Sequence, residues 1–209
     1  MPSGSSSRRP PRPKLVICLS GLSGTGKSTI GRELARRYGL RYISGGEALR
    51  QKARELGYKA EGPGWWEEQE GQDFIAERLR NSRFDREVDA WLIQQAREGN
   101  VVIDSWTIAW LLEPGVGFRI CLYGSPGVRA ARVAKRDGIS LEEALAAIRA
   151  KEERSRELYK RLYGFDLLDL SAYDLVIDTD NLTPEEVVAA ICAVLEAMRA
   201  RVRSINIGP

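Results

Sequence analysis

The 209 residues are 43% hydrophobic, 29% charged and 8% aromatic, enough apolar side chain for a sizeable core, which excludes a disordered chain. Lys and Arg number 32 against 29 Asp and Glu, and the net charge of +3 is too balanced for a protein that coats nucleic acid. There is no histidine, which excludes imidazole acid–base catalysis, Ser-His-Asp and Cys-His nucleophiles and every His-containing metal site.

No apolar run approaches the ~18–20 residues of a membrane helix. Cys18, Cys121 and Cys192 lie far apart, odd in number and without a CxxC, and are expected as three buried thiols. The length predicts a single domain, placed over 14–200; the protein is expected to be monomeric and, with its unpaired thiols, cytoplasmic. The Ser/Arg/Pro-rich stretch 1–13 is expected as a disordered tail and 201–209 as a loose C-terminus.

Residues 15–19 (Leu-Val-Ile-Cys-Leu) form a short apolar run bounded by Gly21, as in a buried strand. A Gly-rich turn leads to a helix over 27–38, closed by Gly39. Residues 40–43 are a second strand, and Ser44-Gly45-Gly46 opens a helix to about 56. A flexible connection spans 57–64. Helices follow at 65–79 and 85–97, with Val88, Trp91, Leu92 and Ala96 on one face of the second. Val101-Val102-Ile103 is a strand ending on Asp104, and 119–123 is the fourth. Ser125 before Pro126 reads as an N-cap with proline at the first helical position, and Gly138 ends that helix. Ser140…Glu143 is a capping box opening a long helix toward Tyr163. Residues 174–178 are the fifth strand, and Thr183…Glu186 is a second capping box. Alternating helices and continuous apolar strands predict an α/β fold: a five-stranded parallel sheet with helices on both faces.

The segment Gly21-Leu-Ser23-Gly24-Thr25-Gly26-Lys27-Ser28-Thr29 contains G-x-x-x-x-G-K-[ST] between a strand and a helix. Glycines let successive backbone N–H groups turn toward phosphate oxygens, and the helix start adds partial positive charge. Lys27 is the cation for the β- and γ-phosphates, and the Ser28 hydroxyl is a Mg²⁺ ligand. ATP and Mg²⁺ are therefore the expected cofactors. Asp104 sits where open α/β sheets bind ligands. It is expected to hold a Mg²⁺-bound water or accept a proton from an acceptor hydroxyl, against the alternative of a helix cap. Arg129, Arg132 and Arg136 recur at i, i+3 and i+7 on one helix face, a row able to clamp a transferring phosphoryl group. Trp65 and Trp66 are expected in packing or stacked on a base or sugar.

Several further stretches resemble the archaeal-type cytidylate kinases, a nucleoside monophosphate kinase family with a phosphate loop. Ile43-Ser-Gly-Gly-Glu47-Ala-Leu-Arg50 is similar to its S-[AT]-G-[DE]-x-x-R segment, and Phe84-Asp-Arg-Glu-Val-Asp89 to its I-D-x-x-I-D. Residues 128–138 resemble its V-R-A-x-R-I-A-x-R-E-G lid, and 163–179 its Y-G-I-D-x-x-D-L-S-x-Y-D-L-V-I-N-T. The resemblance, covering about 14–198, implies acceptor-binding helices over 44–98 and an arginine lid hairpin over 125–163. It implies transfer of the ATP γ-phosphate to CMP or dCMP, with Lys27, Arg129, Arg132, Arg136 and Asp104 catalytic. Ser44, Arg50, Trp106 and Lys151 fall at acceptor positions.

The chain departs from that pattern at the acceptor. Trp106 stands where the relatives carry Arg, and the R-E-x-x-[DE]-x-x-R positions fall on Lys151, Ser155 and Leu158. Without compensation the lost guanidinium contacts predict about 3–6 kcal/mol less grip on CMP. Three functions stay open: a CMP/dCMP kinase, a kinase of the same fold for another nucleotide, nucleoside or small molecule, and a non-catalytic nucleotide-binding module.

Overall fold

Strands β1 (Val16–Gly21), β2 (Arg41–Ser44), β3 (Val101–Asp104), β4 (Phe118–Tyr123) and β5 (Leu175–Asp178) pair in parallel, in the order β2-β3-β1-β4-β5. Parallel neighbours need crossovers, and helices provide them on both faces, as the alternating sequence pattern requires. The helices are α1 (Lys27–Tyr38), α2 (Gly45–Glu55), α3 (Gln69–Arg80), α4 (Arg83–Glu98), α5 (Ile108–Leu111), α6 (Pro126–Asp137), α7 (Leu141–Tyr163) and α8 (Pro184–Ile205). A single 3-10 turn, Trp65–Glu67, precedes α3. The computed structural model describes residues 14–62 and 64–205. The expected tail at 1–13 lies outside the described residues, as do 206–209.

The period-2 alternation of β1 separates two cores. Ile17 and Leu19 pack with Ile30 and Leu34 of α1 and with Val187, Ile191 and Leu195 of α8. Val16 and Cys18 pack on the other face with Leu49, Phe74, Val88, Leu92 and Ile108. Burying side chains of this size is worth about 1.5–3 kcal/mol each, so the sheet's centre is fixed from both sides. The hairpin of α6 and α7 has its own small core of Ala130, Val133, Ala144 and Ile148. All three cysteines are buried thiols. Among the described residues no helix is long and apolar enough to cross a membrane.

Some local expectations need correction. The edge strands β2 and β5 are only partly covered, because each pairs on one side alone. Trp91 is 42% exposed, since α4 buries Asp85, Asp89 and Gln95 along with Val88, Leu92 and Ala96, turning its inner face away from Trp91. Both capping boxes form, at Ser140/Glu143 and at Thr183/Glu186. Ser125 is the N-cap residue and Pro126 starts α6, but the Ser125 hydroxyl makes no cap bond; its backbone N–H donates to Asp180 instead, at 2.8 Å. Helix α8 continues to Ile205, into the stretch expected to be loose.

Candidate active site

The turn after β1 owes its shape to close backbone approach. Gly24 has φ +79°, and a Cβ there would lie 2.5 Å from the Arg129 carbonyl oxygen of α6. Gly26, also left-handed, is the N-cap of α1, so the free N–H groups of that helix open toward the turn. The turn floors a cavity of about 640 Å³ at the C-terminal ends of β1 and β3. Ser23, Gly24, Thr25, Gly26, Lys27, Ser28 and Thr29 all line it. Gly21 does not: it lies behind the turn against Leu122, where a Cβ would come 2.3 Å from the carbonyl oxygen.

The Lys27 ammonium donates to the Leu22 carbonyl at 3.0 Å and lies 5.9 Å from the centre of the Trp106 ring. Burial weakens its hold on its proton; Asp104 opposes this and Lys151 adds to it. Register places Asp104 beside Leu19 of β1. One Asp104 carboxylate oxygen accepts from Ser28 Oγ at 3.0 Å and from the Tyr42 hydroxyl at 2.9 Å. Ser28 and Asp104 are hard oxygen donors side by side, as Mg²⁺ prefers. Among the described residues no three Asp, Glu, Cys or His side chains converge, so the remaining oxygens of such an ion have to come from phosphate and water.

The opposite wall comes from α2, α3 and α4. Ser44 caps α2 by accepting from the Glu47 N–H at 3.3 Å. Arg50 donates to Glu47 and to the Gly62 carbonyl, while its buried Nε has no partner among the described residues. Arg78 is the residue sequence reasoning missed. It is 2% exposed, lines the cavity, and donates to both oxygens of Asp85 and to the Tyr159 hydroxyl. Burial opposes its charge, but Tyr159 and Asp85 more than offset that and hold it protonated above the ordinary arginine range. Its guanidinium also lies 5.7 Å from the Trp66 ring. Asp89, nearby, accepts from Thr107 and Tyr163; burial pushes its carboxyl up to about 6. Trp65 is core, whereas Trp66 faces the cavity.

The α6–α7 hairpin supplies the remaining cations. Arg132 donates to the Thr179 hydroxyl at 2.9 Å and to its carbonyl, and Arg136 donates to Asp137 and Glu67. Lys151 sits between the Trp66 and Trp106 rings, 5.5 and 5.6 Å from their centres. These three, with Ser44, Arg50, Asp104 and Trp106, line the same cavity as the phosphate loop.

Two expectations are overturned. Arg129 does not reach the cavity. It is 4% exposed and donates to the Ser23 and Gly124 carbonyls and, with two nitrogens, to Glu152. It sits at the base of the hairpin, where the row of arginines meets the back of the phosphate loop, and so it braces that loop without facing a ligand. Leu158 is not at the acceptor either. It packs with Tyr159, Phe165 and Leu167, so Leu158→Arg would bury an unpaired charge without restoring a contact. Ser155 does line the cavity, and Arg154, Arg156 and Arg161 point to Gln72, Asp166 and Leu79.

The brace gives a prediction. Arg129→Met leaves Glu152 and two carbonyls without their donor, and breaking such a buried pair costs about 3–5 kcal/mol. Urea unfolding should show that loss, and a stability unchanged within error would return Arg129 to the surface.

An uncharacterized protein from Eubacterium ventriosum has the same fold at TM-score 0.63 and 16% identity, covering 88% of this chain and 99% of that one. Shikimate kinase from Bacteroides thetaiotaomicron matches at TM-score 0.57 and 19% identity, covering 88% and 99%. In sequence, the chain is 41% identical over 186 residues to the cytidylate kinase of Pyrococcus horikoshii, covering 89% of this chain and 91% of that protein. It is 40% identical over 192 residues to the Pyrococcus abyssi cytidylate kinase, covering 92% and 99%. The model of the cytidylate kinase-like family matches residues 16–181, from the first residue of β1 to the loop after β5. With its phosphate loop, strand-end carboxylate and basic hairpin arranged around one cavity, this chain belongs to the cytidylate kinase-like family.

Proposed function

We propose that the chain transfers the γ-phosphoryl group of Mg·ATP to the phosphate of CMP or dCMP. The observation that carries this reading is the presence of several cationic groups in one cavity. Lys27 and the helix start of α1 lie at the phosphate loop, Arg50 and Arg78 come from α2 and α3, and Arg132, Arg136 and Lys151 come from the α6–α7 hairpin. Two phosphate-bearing substrates fit that charge pattern; one does not need it. Relatives at about 40% identity named cytidylate kinase support the acceptor.

The acceptor's phosphate oxygen is already ionised at neutral pH, since the second phosphate pKa is about 6. The transfer therefore needs no general base, in keeping with a chain without histidine. Positioning and charge stabilisation are what remains for the protein to supply. Lys27 and the loop N–H groups hold the β- and γ-phosphates. Ser28 and Asp104 would hold Mg²⁺, which when bound neutralises phosphate charge. Asp104 is a shell carboxylate here, already accepting two hydroxyl hydrogen bonds, and abstracts no proton. Arg132 and Arg136 draw off the charge that spreads over the phosphoryl group in flight. The α6–α7 hairpin, closing as a lid, excludes the water that would otherwise take the phosphoryl group.

On the acceptor side, Arg78 takes over from the guanidinium absent at Trp106, and Lys151 keeps a cation where the relatives carry arginine. Arg78→Lys keeps charge beside Asp85 but loses the planar fork. It should raise KM for CMP about tenfold or more and leave KM for ATP unchanged; equal rises in both would make Arg78 a fold residue only. The reading itself is tested with Mg·ATP and a panel of nucleoside monophosphates and nucleosides, following ADP release. CMP and dCMP should be the best acceptors and cytidine inactive. Turnover of cytidine above CMP would identify a nucleoside kinase of the same fold.

A further inference from the structure

We propose that the space between Ser23, Arg136 and Lys151 is a phosphoryl-binding position that Glu67 fills with its own carboxylate until nucleotide phosphate displaces it. This rests on the reading that the cavity binds nucleotide phosphates.

Glu67 ends the 3-10 turn before α3. One carboxylate oxygen accepts from Lys151 Nζ at 2.9 Å and from Ser23 Oγ at 3.4 Å; the other accepts from Arg136 Nη2 at 3.1 Å. The side chain is 4% exposed. An ammonium, a guanidinium and a hydroxyl aimed at one oxyanion form the donor set that recognises a phosphoryl group. The three donors come from the phosphate loop, α6 and α7, and all three line the nucleotide cavity. Glu67 thus ties together the segments that a transferred group has to bridge.

The electrostatics require an anion at this point. Lys151 is buried between two indole rings, and a buried cation without a counter-charge is heavily penalised. Burial weakens its hold on its proton, and Glu67 is the largest influence opposing that. Arg136 has Asp137 as a second partner, whereas Glu67 is the only acid paired with Lys151 among the described residues. Either Glu67 or a ligand phosphate can satisfy Lys151. The turn also packs on the hairpin's corner: a Cβ on Gly64 would lie 2.8 Å from Asp137 Oδ1. Arrival of phosphate at Lys151 and Arg136 therefore releases the contact that pins the hairpin to this turn. Until then Glu67 keeps both cations from the γ-phosphate, which limits transfer to water, the side reaction in which ATP and H₂O give ADP and inorganic phosphate.

The test is Glu67→Gln, with pyrophosphate and Mg·ATP binding measured by calorimetry in the absence of any acceptor. Removing the competing carboxylate should tighten both by about tenfold or more, because binding no longer has to break the resident pairs. The melting temperature of Glu67→Gln should fall, and pyrophosphate should raise it more than it raises that of the wild type. Glu67→Asp, charged but one methylene short, should tighten binding by a smaller factor and reports even if the Gln variant does not fold. Unchanged or weaker binding in whichever variant folds overturns the proposal and leaves Glu67 a structural ion pair. Because no acceptor is present, the result is independent of whether CMP is the substrate; a wild type that binds neither probe would overturn both readings.

Discussion

Lys27→Ala lowers the rate of phosphoryl transfer by about three orders of magnitude or more and leaves the fold standing. The two halves of this result have separate causes. The ammonium lines the cavity from the phosphate loop, where the proposed reading places the β- and γ-phosphates. Yet it makes no ion pair with a carboxylate among the described residues, and its one hydrogen bond goes to the Leu22 carbonyl. Burial already works against its charge. Truncating it removes a desolvation cost along with a weak contact, so urea stability should stay within about 1 kcal/mol of wild type. Arg129→Met behaves in the opposite way, because that guanidinium has four acceptors and no view of the cavity. A folded Lys27→Ala protein with wild-type turnover would remove the phosphate loop from the mechanism.

Arg132→Ala lowers kcat by about 10³-fold while the dissociation constant for ATP moves by only a few-fold. The guanidinium donates to Thr179 and lies 3.5 Å from the Gly24 carbonyl, beside the phosphate loop. Its strongest anionic partner arises only when charge builds on the transferring phosphoryl group, and interactions made only then act on kcat. Rapid-quench kinetics with saturating ATP and CMP separate the two parameters. A raised ATP dissociation constant with unchanged kcat would make Arg132 a ground-state clamp.

The phosphate loop was legible because its chemistry is contiguous: the spacing of Gly24, Gly26, Lys27 and Ser28 between an apolar run and a helix leaves few other geometries. Asp104 was legible for a related reason, as the polar end of a wholly apolar strand. Capping boxes at Ser140 and Thr183 are local too, and both formed. Arg78 was not legible. It follows Phe74 and Ile75 on the buried stripe of α3, where periodicity marks only apolar positions, and its partners Asp85 and Tyr159 come from two other helices. Arg129 was misjudged because a shared helix face says nothing of what that face meets; the first arginine meets the back of the phosphate loop and the next two meet the cavity. Glu67 lies in an irregular turn, and its three donors are brought to it only by the closing of the fold.

Direct transfer requires that one cavity bind ATP and a cytidine monophosphate together and pass the phosphoryl group between them. Single-turnover transfer from γ-³²P-labelled ATP, with enzyme in excess over nucleotide, tests it most directly. With CMP present the label should appear in CDP, more slowly in Arg132→Ala and slower by about three orders of magnitude or more in Lys27→Ala. Label that stays in ATP, or appears in inorganic phosphate with or without CMP, would contradict it.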